Sequence, residues 1–173
     1  MNLNKLILKN LNYNEEYTRK VLPFLSQEYF NDRSERLIFN EILKFVSEYG
    51  NIPTYEALVI QLNEKPISDD EYKESLELLV ELNDSKNETV DLEWLVDKTE
   101  EFCQDRAVIN AVRDSISILD GKHNELTKGS IPKLLSDALS VSFDSSVGHD
   151  YLGDSDNRYE YYHKIEDRVE IGR

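Results

Sequence analysis

One stretch limits what this chain can fold into more than any other: Asp91 to Leu119, DLEWLVDKTEEFCQDRAVINAVRDSISIL. It holds neither proline nor glycine, so nothing in it interrupts a helix. Leu92, Leu95, Val96, Thr99, Phe102 and Cys103 fall at helical spacing and draw one apolar stripe. Ile109, Val112, Ile116 and Leu119 continue at spacings of three and four, closer to a coiled-coil seam. Asp91 stands where an N-cap belongs, and Gly121 where a helix stop belongs. At 1.5 Å per residue such a helix is roughly 43 Å long, more than a small domain needs. The first half is expected in a core. The second half is expected to leave that core and pair with something else.

The remaining segments read as shorter helices. Leu3, Leu6, Ile7 and Leu8 predict a short opening helix, and Glu15 to Phe24 a second one with Tyr17, Val21 and Leu22 inward and Pro23 near its end. Phe30 to Tyr49 carries Leu37, Ile38, Ile42, Phe45, Val46 and Tyr49 at helical spacing, and Gly50 stops it. Asn51-Ile52-Pro53-Thr54 is a tight turn, with Thr54 capping a helix that carries Leu58, Val59 and Leu62. Ser68 and Glu71 form a capping-box pattern before a helix expected to bury Tyr72, Leu76, Leu79 and Val80. Past the long helix comes a loop, Asp120 to Ser130, and then a helix capped by Ser130 with Pro132 in its first turn. Its stripe, Ile131, Leu134, Leu135, Ala138, Leu139 and Ser142, suits a helical hairpin with the second half of the long helix. No segment alternates as a strand does, so the expected class is all-α.

Three parts are expected: a helical globular domain over 1–100, a hairpin over 101–143, and a tail over 144–173. The tail opens with a polar linker, 144–157, and then presents Tyr159, Tyr162, Ile165 and Val169 on one side of a short helix. An amphipathic helix at the end of a linker needs a surface to dock on, either a partner's or its own domain's.

The net charge is −15 and the pI about 4.6, which disfavours a broad contact between these residues and a phosphate backbone. Between Glu64 and Asp105 there are fifteen acids against four bases, read as solvated helix faces, with a docking face for a basic partner as the other reading. A single cysteine, Cys103, excludes an internal disulfide and fits the cytoplasm. The opening residues hold no apolar run long enough for a signal peptide, and no run of about 18 apolar residues occurs in the sequence. His123, His149 and His163 have no metal-ligand spacing and read as surface residues, Cys103 as an inert buried thiol, and Trp94 as core. Gly148 to Gly153 has the glycine spacing of a phosphate loop, but Asp154 stands where lysine is needed. No catalytic, cofactor-binding or metal-binding residue is visible.

Several stretches resemble the N-terminal part of the DnaB-family replicative DNA helicases, in the form found in T-even-type phages. They are Leu22-Pro23-Phe24-Leu25 with Glu28-Tyr29-Phe30, and Val46-Ser47-Glu48-Tyr49 with Ile52-Pro53-Thr54 and Ala57-Leu58. The long helix adds Trp94-Leu95-Val96 and Thr99 to Ala107. Downstream stand Ile131-Pro132, Ala138 to Ser145, and Val147 to Asp150. The resemblance implies a hexameric ring that hydrolyses ATP with magnesium and unwinds DNA in the 5′ to 3′ direction. It implies a collar assembled through hairpins, here Ile109, Val112, Ile116 and Leu119 facing Leu134, Leu135, Ala138 and Leu139 or a second subunit. It also implies a linker helix, Tyr159 to Val169, docked on a neighbouring motor domain. Primase and a helicase loader are the implied partners, with single-stranded DNA held by the motor. The ATP site would lie in a RecA-like domain beyond Arg173, so no catalytic residue is carried over. A free-standing acidic helical adaptor or inhibitor is the alternative.

Overall fold

The computed structural model describes residues 1–146. Among them are seven α-helices and no strand. They are α1 (Leu3–Tyr13), α2 (Glu15–Val21), α3 (Arg33–Tyr49), α4 (Tyr55–Glu64), α5 (Asp69–Asp84), α6 (Leu92–Leu119) and α7 (Ile131–Leu139). The class is all-α.

Helix starts follow side-chain chemistry. Asn2, Asn14, Asp32, Thr54, Ser68 and Asp91 each accept a hydrogen bond from a backbone N–H of the first turn they precede. At α5 the box is complete, because the Glu71 carboxylate also accepts from the Ser68 N–H. Gly50 ends α3 with φ of 72°. Gly121 ends α6 with φ of 71°, and there the Lys122 N–H donates to the Ser117 carbonyl while the Gly121 N–H donates to that of Ile118. That pair of bonds is a Schellman stop.

Several boundaries and faces differ from expectation. α2 stops at Val21, and Leu22–Phe24 forms a 3₁₀ turn, since Pro23 has no N–H to continue an α-helix. α3 begins at Arg33 rather than Phe30, because Asp32 caps it and Phe30 is extended. On α5 the buried line is Ser75, Leu78, Leu79 and Leu82, which leaves Val80 exposed, one residue round the helix. Ser130 does not cap α7. Its backbone is helical, continuing the 3₁₀ turn Lys128–Ser130, and Pro132 at the second helical position has no N–H to receive. Trp94 is 46% exposed on the outer side of α6 and is not core.

The core is assembled around α1. Ile7, Leu8 and Leu11 are buried, and so are Lys9, Asn10 and Asn12 on its other sides. The Lys9 ammonium donates to the Glu88 carbonyl at 2.9 Å, which satisfies the charge where the chain turns from α5 to α6. Tyr17, Val21, Phe30, Phe39, Ile42, Leu43, Leu62, Leu79, Leu95 and Cys103 join the same cluster. Deep in it the Thr99 hydroxyl donates to the Leu95 carbonyl, so the Tyr17 hydroxyl, 2.6 Å away, donates to Thr99. The last core member on α6 is Cys103, although the helix runs on for sixteen residues to Leu119.

Candidate assembly surface

Beyond Cys103, α6 has three sides with different tasks. One side holds it to the body of the protein. The Arg106 guanidinium donates through Nε to the Tyr29 carbonyl at 3.0 Å and through its terminal nitrogen to the Asn31 side chain. The Asn110 amide donates to the Glu28 carbonyl at 3.0 Å. The segment between α2 and α3 therefore braces the helix for about two turns past the core.

The second side carries Glu100, Gln104, Ala111, Ser115 and Ile118, spaced by four, seven, four and three, which is one line along a helix. The first two bond the return arm of the hairpin. The Gln104 amide donates to the Val141 carbonyl at 3.0 Å, and the Glu100 carboxylate accepts from the Phe143 N–H at 2.8 Å. Ala111, Ser115 and Ile118 are buried along the same line, and on α7 the one fully buried residue is Ala138. Small residues at this contact let two helices come close, as in other tight helix pairs.

The third side is bare. Ile109, Val112, Ile116 and Leu119 lie about 100° round from the buried line and are 43%, 44%, 55% and 59% exposed. Past the core, the buried line of α6 is Ala111, Ser115 and Ile118, and these four residues are more open than that line. Leu134 and Leu135 are half-buried, and Leu139 is 73% exposed. The overlooked signal was the run of small residues at helical spacing. Seen alone, Ala111 and Ser115 look like solvent positions, and the larger residues beside them look like core. Tyr159, Tyr162, Ile165 and Val169, with His149, His163 and the glycine pair near Asp154, fall outside the described residues.

The chemistry of this region is that of packing. Among the described residues no group of histidine, cysteine, aspartate and glutamate is arranged to hold a metal. Burial pushes the Cys103 thiol well above its ordinary range, with the Glu100 charge adding to the effect, so it is no nucleophile. His123 is half-buried rather than free on the surface: its Nδ1 accepts the Leu126 N–H at 3.2 Å and ties the hairpin loop together. Asp114 near it has its carboxyl raised by burial, opposed by His123 and Arg113. No helix among the described residues is long and apolar enough to cross a membrane.

No protein-family model matches the chain. The DnaB-like replicative helicase of Enterobacteria phage T4 is 34% identical to it over 166 residues. The chain is a domain related to the DnaB-family replicative helicases of phages. The match takes in 91% of this chain but 34% of the T4 protein, so this DnaB-related domain spans about a third of the length of that relative. Its resemblance-carrying stretches meet in space. Phe24 stacks on Phe143 at 4.4 Å between ring centroids, Tyr29 meets Phe102 edge-on at 6.4 Å, and Arg106 bonds the Tyr29 carbonyl. These contacts lie where the long helix of the DnaB-related chain joins its core.

Proposed function

We propose that this DnaB-related domain is the N-terminal, non-catalytic assembly module of a ring-shaped, ATP-dependent 5′–3′ replicative DNA helicase. One observation carries the reading: an exposed apolar line, Ile109, Val112, Ile116 and Leu119, on a helix that continues well past its own core. Four exposed branched apolar residues in register form a seam that a second helix can cover. The partner at that seam is another copy of the chain, and repetition of the contact around a closed ring gives a hexamer. Leu139, on the returning helix, extends the apolar surface available to a neighbour.

ATP and its magnesium belong to a RecA-like motor outside these residues, and so does single-stranded DNA, which the −15 charge keeps off this surface. Primase and a helicase loader engage the assembled ring, and residues Tyr159 to Val169 dock on a neighbouring motor. The test is the solution mass of the chain by light scattering over a range of concentrations, for the natural sequence and for Ile116→Asp. A concentration-dependent mass above that of one chain, lost in the variant while helicity is kept, is the expected result. A monomer at every concentration, together with a full-length ring that assembles normally carrying Ile116→Asp, would sink the assembly reading. Primase binding is measured separately on the assembled ring.

A further inference from the structure

The return arm of the hairpin has little holding it locally. α7 has nine residues, below the roughly 12–15 at which an isolated helix becomes stable in water. Its N-terminal serine makes no capping bond, its second position is proline, and Ala138 alone is fully buried. α6, in contrast, is fixed by Arg106 and Asn110 whatever α7 does. Besides the packing of α7 on α6, the arm is tied down by two residues past α7. The Val141 carbonyl and the Phe143 N–H bond Gln104 and Glu100, and the Phe143 ring stacks on Phe24 with 24° between the planes. Val141 and Phe143 are the residues beyond α6 that pack against the core.

We propose that residues 141–143 are a clasp, and that the arm from Gly121 to Phe143 opens and closes as one unit when the clasp lets go. Closed, the clasp covers the Ala111–Ser115–Ile118 line of α6 with α7. Open, it bares that line while the core and α6 stay folded, because their ties do not pass through α7. The clasp also fixes where the chain leaves the body, beside Phe24, so whatever follows residue 144 starts from the core and not from the tip of the hairpin. This inference is independent of the assembly reading, since it concerns contacts within one chain.

Hydrogen exchange read by mass spectrometry tests it, with each protein at a concentration where light scattering finds it monomeric. In Phe143→Ala, and independently in Phe24→Ala, amides of residues 133–140 are expected to exchange about tenfold faster while those of α1 and α3 are unchanged. The double variant should exchange no faster than either single one, because both remove the same stack. Glu100→Ala, which removes the carboxylate that accepts the Phe143 N–H and leaves the ring stack in place, should speed the same amides by a smaller factor. Unchanged exchange in α7, or acceleration of α1 and α3 to the same extent, overturns the clasp.

Discussion

Two buried carboxylates define the stability of the core residue by residue. Glu35, in the first turn of α3, accepts from the Asn4 amide at 2.9 Å and sits beside the capping Asp32. Burial raises its carboxyl above the ordinary range, with Asp32 adding to the shift and Asn4 and Lys5 opposing it. The folded protein therefore holds this proton more tightly than the unfolded chain. The contribution is fully present below about pH 4, the unfolded value, and is lost as the pH rises through the folded value. Glu35→Gln keeps an acceptor for Asn4 and removes the titration. From pH 4 to 7 the natural protein should lose stability relative to the variant, as urea midpoints at each pH would show. A constant difference across that range would refute the assignment. Tyr17 and Cys103 act the same way in alkali: both are held neutral by burial, so stability should fall once the unfolded chain ionises above about pH 9.

Glu41 is the other case. Its side chain is 4% exposed and pairs with Lys65 at 2.7 Å. Lys65→Met leaves that carboxylate buried without its cation and should cost about 3 kcal/mol in denaturant unfolding. Adding Glu41→Met should return most of the loss, since an apolar pair of similar volume needs no desolvation of charge. A double variant that loses the sum of what Lys65→Met and Glu41→Met lose separately would show that the pair is not coupled.

At the scale of elements, the caps and stops were the most legible part of the sequence. Asp91, Thr54, Ser68 with Glu71, Gly50 and Gly121 each act in the fold as their residue type and spacing imply. Such signals are local: a hydroxyl or carboxylate three residues before a free N–H needs nothing distant to work. Ser130 misled because its own backbone conformation was set by the preceding turn. The burial of α1 was illegible for the opposite reason, because Lys9, Asn10 and Asn12 are polar by type and only the surrounding helices enclose them. The two stopping glycines allow a paired prediction. At Gly121 an added Cβ meets nothing within 4 Å, so Gly121→Ala carries only the left-handed backbone cost of about 1 kcal/mol. Since the tip of α6 lies beyond the core, that cost should appear as about fivefold faster exchange near Lys122, with the global unfolding midpoint unchanged. Gly50→Ala places the same strain on a core helix and should lower the midpoint itself.

On the scale of the whole molecule, the sequence foretold a long helix that outruns its core and a second helix folded back on it. It did not foretell which side of the long helix that second one covers. Hydrophobic size pointed to Ile109, Val112, Ile116 and Leu119, for the returning helix or for a second subunit, whereas the buried line is Ala111, Ser115 and Ile118. The candidate surface is thus the face left over once the chain has satisfied itself. Ile116→Asp should have little effect on folding and a large one on association, because Ile116 is 55% exposed in the single chain. A melting temperature within about 2 °C of the natural protein, with a reduced solution mass, is the expected pair of results.

Trp94 turns this division of labour into something that can be watched. It is the chain's one tryptophan, and it stands eighteen residues, five helical turns, before Val112 on the same side of α6. Its indole reaches solvent along the line that the bare residues follow. The intrinsic emission of the protein therefore reports on the outside of the long helix. It should stay red-shifted and open to quenching by iodide or acrylamide in the single chain, and change little when the core melts. A neighbour lying along the whole helix would shield the indole and shift its emission to the blue. One confined to the last three turns would leave the light unchanged, so the reach of any contact along α6 can be read from a cuvette.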